Sequence, residues 1–197
     1  MANLVPSGID ITTGQSQKVS SADNLVNSSG TPLAVGGLQL IERKEFLSDT
    51  ASYTFTGLDG DTDEEYVIQG SVMHGTGAGN HQVYVRPNGL STNLSGFYGQ
   101  LAGAVYSGGP LTGWWLAVTT TSGLDLPAHV DAHVYAKRTG GGPNRQRMFR
   151  NNMVLAAPLL VNGTWNETVT NITSLQIIAT IGVIGVGTEL SLYKVIK

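Results

Sequence analysis

The sequence contains no cysteine, which excludes disulfides, thiolate metal sites and cysteine nucleophiles and leaves packing or association to hold the fold. Charge is scarce as well: Asp, Glu, Lys and Arg make up 13% of the 197 residues, against about a quarter in an average soluble protein. The formal net charge of −3 and the lack of a sustained basic run remove the electrostatic footprint of a nucleic-acid or anionic-membrane binder. Neither nucleic acid nor membrane is expected as a partner. No apolar run reaches the ~18 residues of a membrane span. The stretch Ile177–Val186 is interrupted by Gly182 and Gly185 and reads as buried strand and turn. The opening MANLVPSGID has neither the basic nor the apolar region of a signal peptide, so synthesis in a cytoplasm is expected.

Catalytic fingerprints are missing too. There is no Gly-x-Ser-x-Gly, no His-Glu-x-x-His and no P-loop, and the glycines of Gly75–Gly79 and Gly140–Gly142 lack the Lys-Ser/Thr that follows a phosphate cradle. The expectation is a non-enzymatic chain without a cofactor.

What the sequence has is glycine, 26 residues, and short runs of β-branched and aromatic residues between turn signals. The runs are Leu38–Leu47, Ser52–Leu58, Tyr66–His74, His81–Arg86, Phe97–Tyr106, Gly113–Thr120, Ala128–Arg138, Arg147–Ala156, Ile172–Thr180 and Thr188–Ile196. Turns are expected at Asp59-Gly60, Gly75–Asn80, Pro87-Asn88-Gly89, Ser107–Pro110, Ser122-Gly123, Gly140–Asn144 and Asn162-Gly163. Alternation is clean in Val130–Ala136, where Val130, Ala132, Val134 and Ala136 share one face and Asp131, His133, Tyr135 and Lys137 share the other. About ten strands and no helix predict an all-β fold, an antiparallel β-sandwich of jelly-roll type. No fixed-period repeat supports a propeller or solenoid.

Residues 1–37 differ. Rich in Ser, Thr, Asn and Gly, they cannot fold alone, but their spaced hydrophobes, among them Ile9, Ile11, Val19, Leu25 and Val26, predict an extended arm ordered on a partner rather than a loose terminus. The expected organisation is an attachment arm over 1–37 and a β-sandwich over 38–197.

Several constellations invite chemistry. Asp59-Gly60-Asp61-Thr62-Asp63-Glu64-Glu65 has the carboxylate density of a Ca²⁺ loop, but the sixth and twelfth positions of an EF-hand starting at Asp59 are Glu64 and Gly70, not Gly and Glu. An acidic hairpin loop is expected instead. His129 and His133 lie about 13 Å apart on a strand, too far for one ion. His74 and His81 flank a glycine-rich hairpin and could meet across it. Trp114 and Trp115 are adjacent and so point to opposite faces of a strand, one to core and one outward, where it is expected as a half-buried rim aromatic or as a platform for a sugar ring or a subunit interface. The segment Lys137–Arg147 with Arg150 is basic; Arg138, Arg145 and Arg147 are candidates for docking an acidic partner. Sequons at Asn27, Asn93, Asn162, Asn166 and Asn171 are set aside for want of a signal peptide.

The pattern Leu58-Asp59-Gly60-Asp61 with Glu65-Tyr66, then Val83-Tyr84-Val85-Arg86-Pro87-Asn88-Gly89, then Trp165-Asn166-Glu167-Thr168 and Asn171-Ile172-Thr173-Ser174-Leu175, ending Gly185-Val186-Gly187-Thr188-Glu189-Leu190-Ser191-Leu192-Tyr193-Lys194, resembles the jelly-roll domain of tailed-bacteriophage virion surface proteins of the capsid decoration, head-fibre and tail-fibre type. In the arm, Thr12-Thr13-Gly14-Gln15 and Asp23-Asn24-Leu25-Val26 resemble their attachment regions. The resemblance implies a homotrimer on the virion surface. Its partner would be the major capsid protein or another virion protein, and the arm would tie it there. The alternative is a tail-appendage module that binds a receptor or host-surface glycan. The motifs are structural, so no functional residue is carried over.

Overall fold

The structure is a computed structural model, and it describes residues 37–100, 106–119, 127–136, 147–154, 158–166 and 170–196. The architecture is that of the compact unit Gln39–Val195. Among the described residues there are twelve strands and no helix: β1 (Gly37–Glu45), β2 (Ser52–Thr56), β3 (Glu65–Val72), β4 (His81–Pro87), β5 (Leu94–Gln100), β6 (Tyr106–Leu111), β7 (Trp114–Thr119), β8 (Ala128–Tyr135), β9 (Arg147–Val154), β10 (Pro158–Trp165), β11 (Ser174–Ile181) and β12 (Glu189–Ile196).

Alternation decides which face each strand buries. In β8 the side chains of Ala128, Val130, Ala132 and Val134 are buried while His129 and Tyr135 are exposed, because successive Cβ atoms leave opposite sides of the pleat. In β2, Phe55 is buried between the exposed Thr54 and Thr56.

The strands form two antiparallel sheets, ordered β1-β12-β3-β8-β9-β10-β5-β6 and β2-β11-β4-β7. Their pairing is nested. β4 pairs with β7, β3 with β8, β2 with β11 and β1 with β12, as in one long antiparallel ribbon. The ribbon is rolled so that β12 also meets β3 and β11 also meets β4. This is the jelly-roll topology, two four-stranded sheets facing each other. Here the sheet containing β3 and β8 is extended by β9, β10, β5 and β6, which makes it eight-stranded.

The core lies between the sheets. It contains Phe55, Tyr66, Ile68, Leu116, Leu175, Ile177, Leu190 and Leu192, with Trp114 stacked on Phe149 at 5.0 Å between ring centroids. Edge strand β1 is tied to the opposite sheet by Tyr53 of β2, whose hydroxyl donates to the Glu42 carboxylate. That bond, with burial, pushes the phenol up to about 12.

Two expectations about turns differ from the structure. The single strand expected over Phe97–Tyr106 is the end of β5 and the start of β6, and Ser107–Pro110 lies within β6. Asn162-Gly163, expected as a turn, sits in the middle of β10, paired to β9 and β5. The physical reason is a close approach: a Cβ on Gly163 would come within 2.4 Å of Cδ1 of Trp114. The glycine clears space for an indole from the facing sheet. Asn88-Gly89, by contrast, is a true turn. Both residues have positive φ, 51° and 68°, and the Leu90 amide donates to the Pro87 carbonyl at 2.9 Å, as a β-turn with two left-handed centres requires.

Candidate functional site: the outer sheet faces

The residues singled out in the sequence are distributed unevenly. Ile9, Ile11, Val19, Leu25, Val26, Arg138 and Arg145 lie outside the described residues. Trp114 is fully buried. Trp115 points the other way and is half-buried on the outer face of the four-stranded sheet, edge-on to Tyr84 at 5.8 Å. The Tyr84 hydroxyl in turn donates to Oε1 of Gln82 at 3.1 Å. One core and one outward tryptophan is the arrangement expected of neighbours on a strand.

Arg147 corrects an expectation. Placed by its sequence in a basic docking loop, it opens β9 and is buried to 1% exposure. It shares its face with Phe149 and Asn151, both buried, while Met148 and Arg150 alternate outward. Its Nε donates to the Ala136 carbonyl at 3.0 Å, its Nη2 lies 3.5 Å from Oδ1 of Asp61, and its guanidinium carbon lies 5.0 Å from the centre of the Trp165 ring. Those contacts replace the water that a charge loses on burial. No partner surface can reach it.

The acidic loop behaves as a clasp. Asp59 accepts from the Asp61 and Thr62 amides, from the Thr62 hydroxyl and from the Asn171 side chain, and these bonds, the Thr62 hydroxyl foremost, hold its carboxyl below the usual range. Asp61 pairs with Arg147, and Asp63 takes Lys194 at 3.2 Å and the Tyr66 hydroxyl at 2.9 Å. The carboxylates thus fasten the β2–β3 loop to β9, β12 and the approach to β11. Among the described residues no group of three or more His, Cys, Asp or Glu is placed to hold a metal ion.

The histidines that could meet do meet. His74 and His81 stack at 4.0 Å with 23° between ring planes. His81 is buried, and its Nδ1 lies 3.0 Å from the Val183 carbonyl. Nε2 of His74 lies 2.9 Å from the Gly79 carbonyl. Nearby, Asp49 accepts from the Thr76 and Val186 amides, and its hydrogen bonds, the Thr76 side chain first, lower its carboxyl below the usual range. This pins the β1–β2, β3–β4 and β11–β12 loops together at one end of the sandwich.

The outer face of the eight-stranded sheet carries a mix of exposed and covered side chains, with Arg150 exposed and Val67 at 2% exposure. Register sets its rows. Tyr193, Val67, His133, Arg150 and Asn162 lie side by side across β12, β3, β8, β9 and β10. One row along come Glu65, Tyr135, Met148 and Thr164, and in the other direction Ser191, Gln69, Asp131, Asn152 and Leu160. Nδ1 of His133 is 2.5 Å from the Glu65 carboxylate, and Asp131 accepts from Gln69 at 3.1 Å. Tyr135, Met148 and Leu160 are 39%, 52% and 40% exposed.

The chain matches no protein-family model, no curated protein and no solved structure. Geometry therefore carries the functional reading. The sequence signals Trp115 and the wet face of β8, but not Met148 and Leu160 as companions of Tyr135, because that grouping depends on which strands pair with β8.

Proposed function

We propose that this chain is a non-enzymatic structural protein of a tailed-bacteriophage particle, a capsid decoration or head-fibre protein that binds the particle surface through residues 1–37 and the underside of its oligomer. The observation that carries the reading is the widened sheet. Four strands beyond the eight of a jelly roll double the breadth of one outer face, and that face mixes Tyr, Met, Leu and Arg on rigid strands, a composition suited to packing against protein. The acidic loop and the stacked histidines, the clusters most open to a chemical role, are engaged in internal bonds. The motif resemblance supplies the phage context.

Deleting residues 1–37 tests the attachment role. The truncated chain is expected to remain folded by circular dichroism and to lose co-sedimentation with particles; decoration at native occupancy would refute the arm's role. Quantitative mass spectrometry of particles separates locations, since hundreds of copies per particle would fit a capsid lattice and a handful a tail or vertex.

A second reading, a tail-appendage module that binds a host-surface glycan, is favoured by Trp115 with Tyr84 on the outer face of the smaller sheet. Of the two tryptophans only Trp115 has solvent access for stacking. A glycan-array signal abolished by Trp115→Ala would support this reading over the first.

A further inference from the structure

The outer face of the eight-stranded sheet is broad enough to hold a partner. Eight strands at about 4.8 Å spacing, each about seven residues of about 3.3 Å, give a face of roughly 38 Å by 23 Å, or about 880 Å² in projection. A standard interface removes about 800 Å² per partner. The area therefore suffices for one stable contact.

An acid and a base stand near each other on this face without being bonded to each other. Arg150 is exposed in the middle of the face and makes no ion pair among the described residues. Asp131, on the neighbouring strand, has a side chain 45% exposed; it accepts from Gln69 at 3.1 Å and lies 3.8 Å from Nε2 of His133, which leaves its second carboxylate oxygen for a further donor. Asp131 stands opposite Asn152, and His133 stands opposite Arg150, so Asp131 and Arg150 are diagonal neighbours, about 7–8 Å apart. A two-fold axis lying in the plane of the contact and passing between them exchanges their places. Arg150 of each copy then faces Asp131 of the other, giving two reciprocal ion pairs. Tyr135 and Met148, directly opposite each other on β8 and β9, lie one row away and supply the apolar ground that shields such pairs from water.

We infer that a second copy of this chain packs on the outer face of the eight-stranded sheet through a two-fold contact centred on Asp131 and Arg150, with Tyr135 and Met148 as its apolar part. This deepens the particle-surface reading by naming the surface used for self-association. It departs from the three-fold assembly that the phage resemblance implies, because a face that meets the same face of a second copy is related to it by a two-fold axis.

The test is sedimentation velocity on the full chain over a concentration series. The wild type is expected to form a dimer. Arg150→Asp and Asp131→Arg are each expected to weaken it about tenfold or more, and the double exchange Arg150→Asp with Asp131→Arg to return it to within about threefold of wild type. Met148→Lys provides a second disruption that leaves both charges in place, and circular dichroism with thermal melting checks that each variant folds. A monomer at about 100 μM, where contacts much weaker than typical specific ones are already populated, would overturn the proposal. So would an oligomer indifferent to both Arg150→Asp and Met148→Lys, or a double exchange that restores nothing. A charge-dependent dimer that does not bind particles would leave the contact standing and remove the particle-surface reading.

Discussion

Arg147 and Trp114 are both buried among residues of the added strands, and each depends on what its neighbours lack or supply. The guanidinium has a carboxylate, a carbonyl and an indole ring for company. Arg147→Ala leaves Asp61 without its buried cation and opens a void beside Trp165, so a loss of about 3 kcal/mol in unfolding free energy is expected in urea titration. Trp114 occupies space that Gly163 vacates. Gly163→Ala forces one of them to move and is expected to cost about 1–3 kcal/mol. Trp114→Ala is expected to cost about 3–5 kcal/mol as a large core truncation, whereas Trp115→Ala, on the half-buried side of the same strand, should cost clearly less. Equal melting temperatures for the two tryptophan variants would contradict the orientation of β7.

Loops are where the elements are joined. Asn88 occupies a left-handed turn position and works on both sides of it: its Oδ1 accepts from the Thr173 and Ser174 amides, and its Nδ2 donates to the Asn171 carbonyl at 2.7 Å. Asn88→Ala strips those bonds and strains the backbone, and a loss of about 2 kcal/mol is expected by chemical denaturation. The β2–β3 and β1–β2 loops respond to acid. Asp59 and Asp49 have carboxyls lowered by hydrogen bonds in the folded chain. Their stabilisation is therefore present above the unfolded carboxylate value of about 3.9 and is lost as pH falls through the lower folded values. Protection against amide exchange, measured relative to the intrinsic rate at each pH, should fall in residues 59–62 and at Thr76 and Val186 below about pH 4, before the core loses protection. Much at this scale was legible from local pattern. The period of two in Val130–Ala136 gave the buried face of β8, and Asn88-Gly89 gave a turn. Asn162-Gly163 has the same dipeptide and no turn, because its meaning lies in an indole some fifty residues earlier. Arg147 misled for the same reason: its partners Asp61, Ala136 and Trp165 come from three other segments. Local chemistry reads directly from sequence, whereas a residue whose role is defined by the facing sheet does not.

For the molecule as a whole, the nested ribbon means that most pairings join strands that are not consecutive in the chain. Folding is expected to be slow, on the order of milliseconds to seconds or longer, as in other domains dominated by non-local strand pairs. β12 lies between β1 and β3. A chain ending before Glu189 is therefore expected to lose the sandwich altogether rather than one edge of it, with no cooperative thermal transition.

The bond between Arg43 of β1 and Glu189 of β12 closes across 146 residues. At a synthesis rate of about 5–20 residues per second, β1 leaves the ribosome roughly 7–30 s before the strand that will cover its edge exists. Through that interval an unpaired strand bearing Leu40 and Ile41 is open to any neighbouring nascent chain. The topology that seals the finished sandwich therefore makes its own production an aggregation-prone stage of the protein's life, and the yield of soluble protein should rise when a chaperone shields that first strand or when translation is faster.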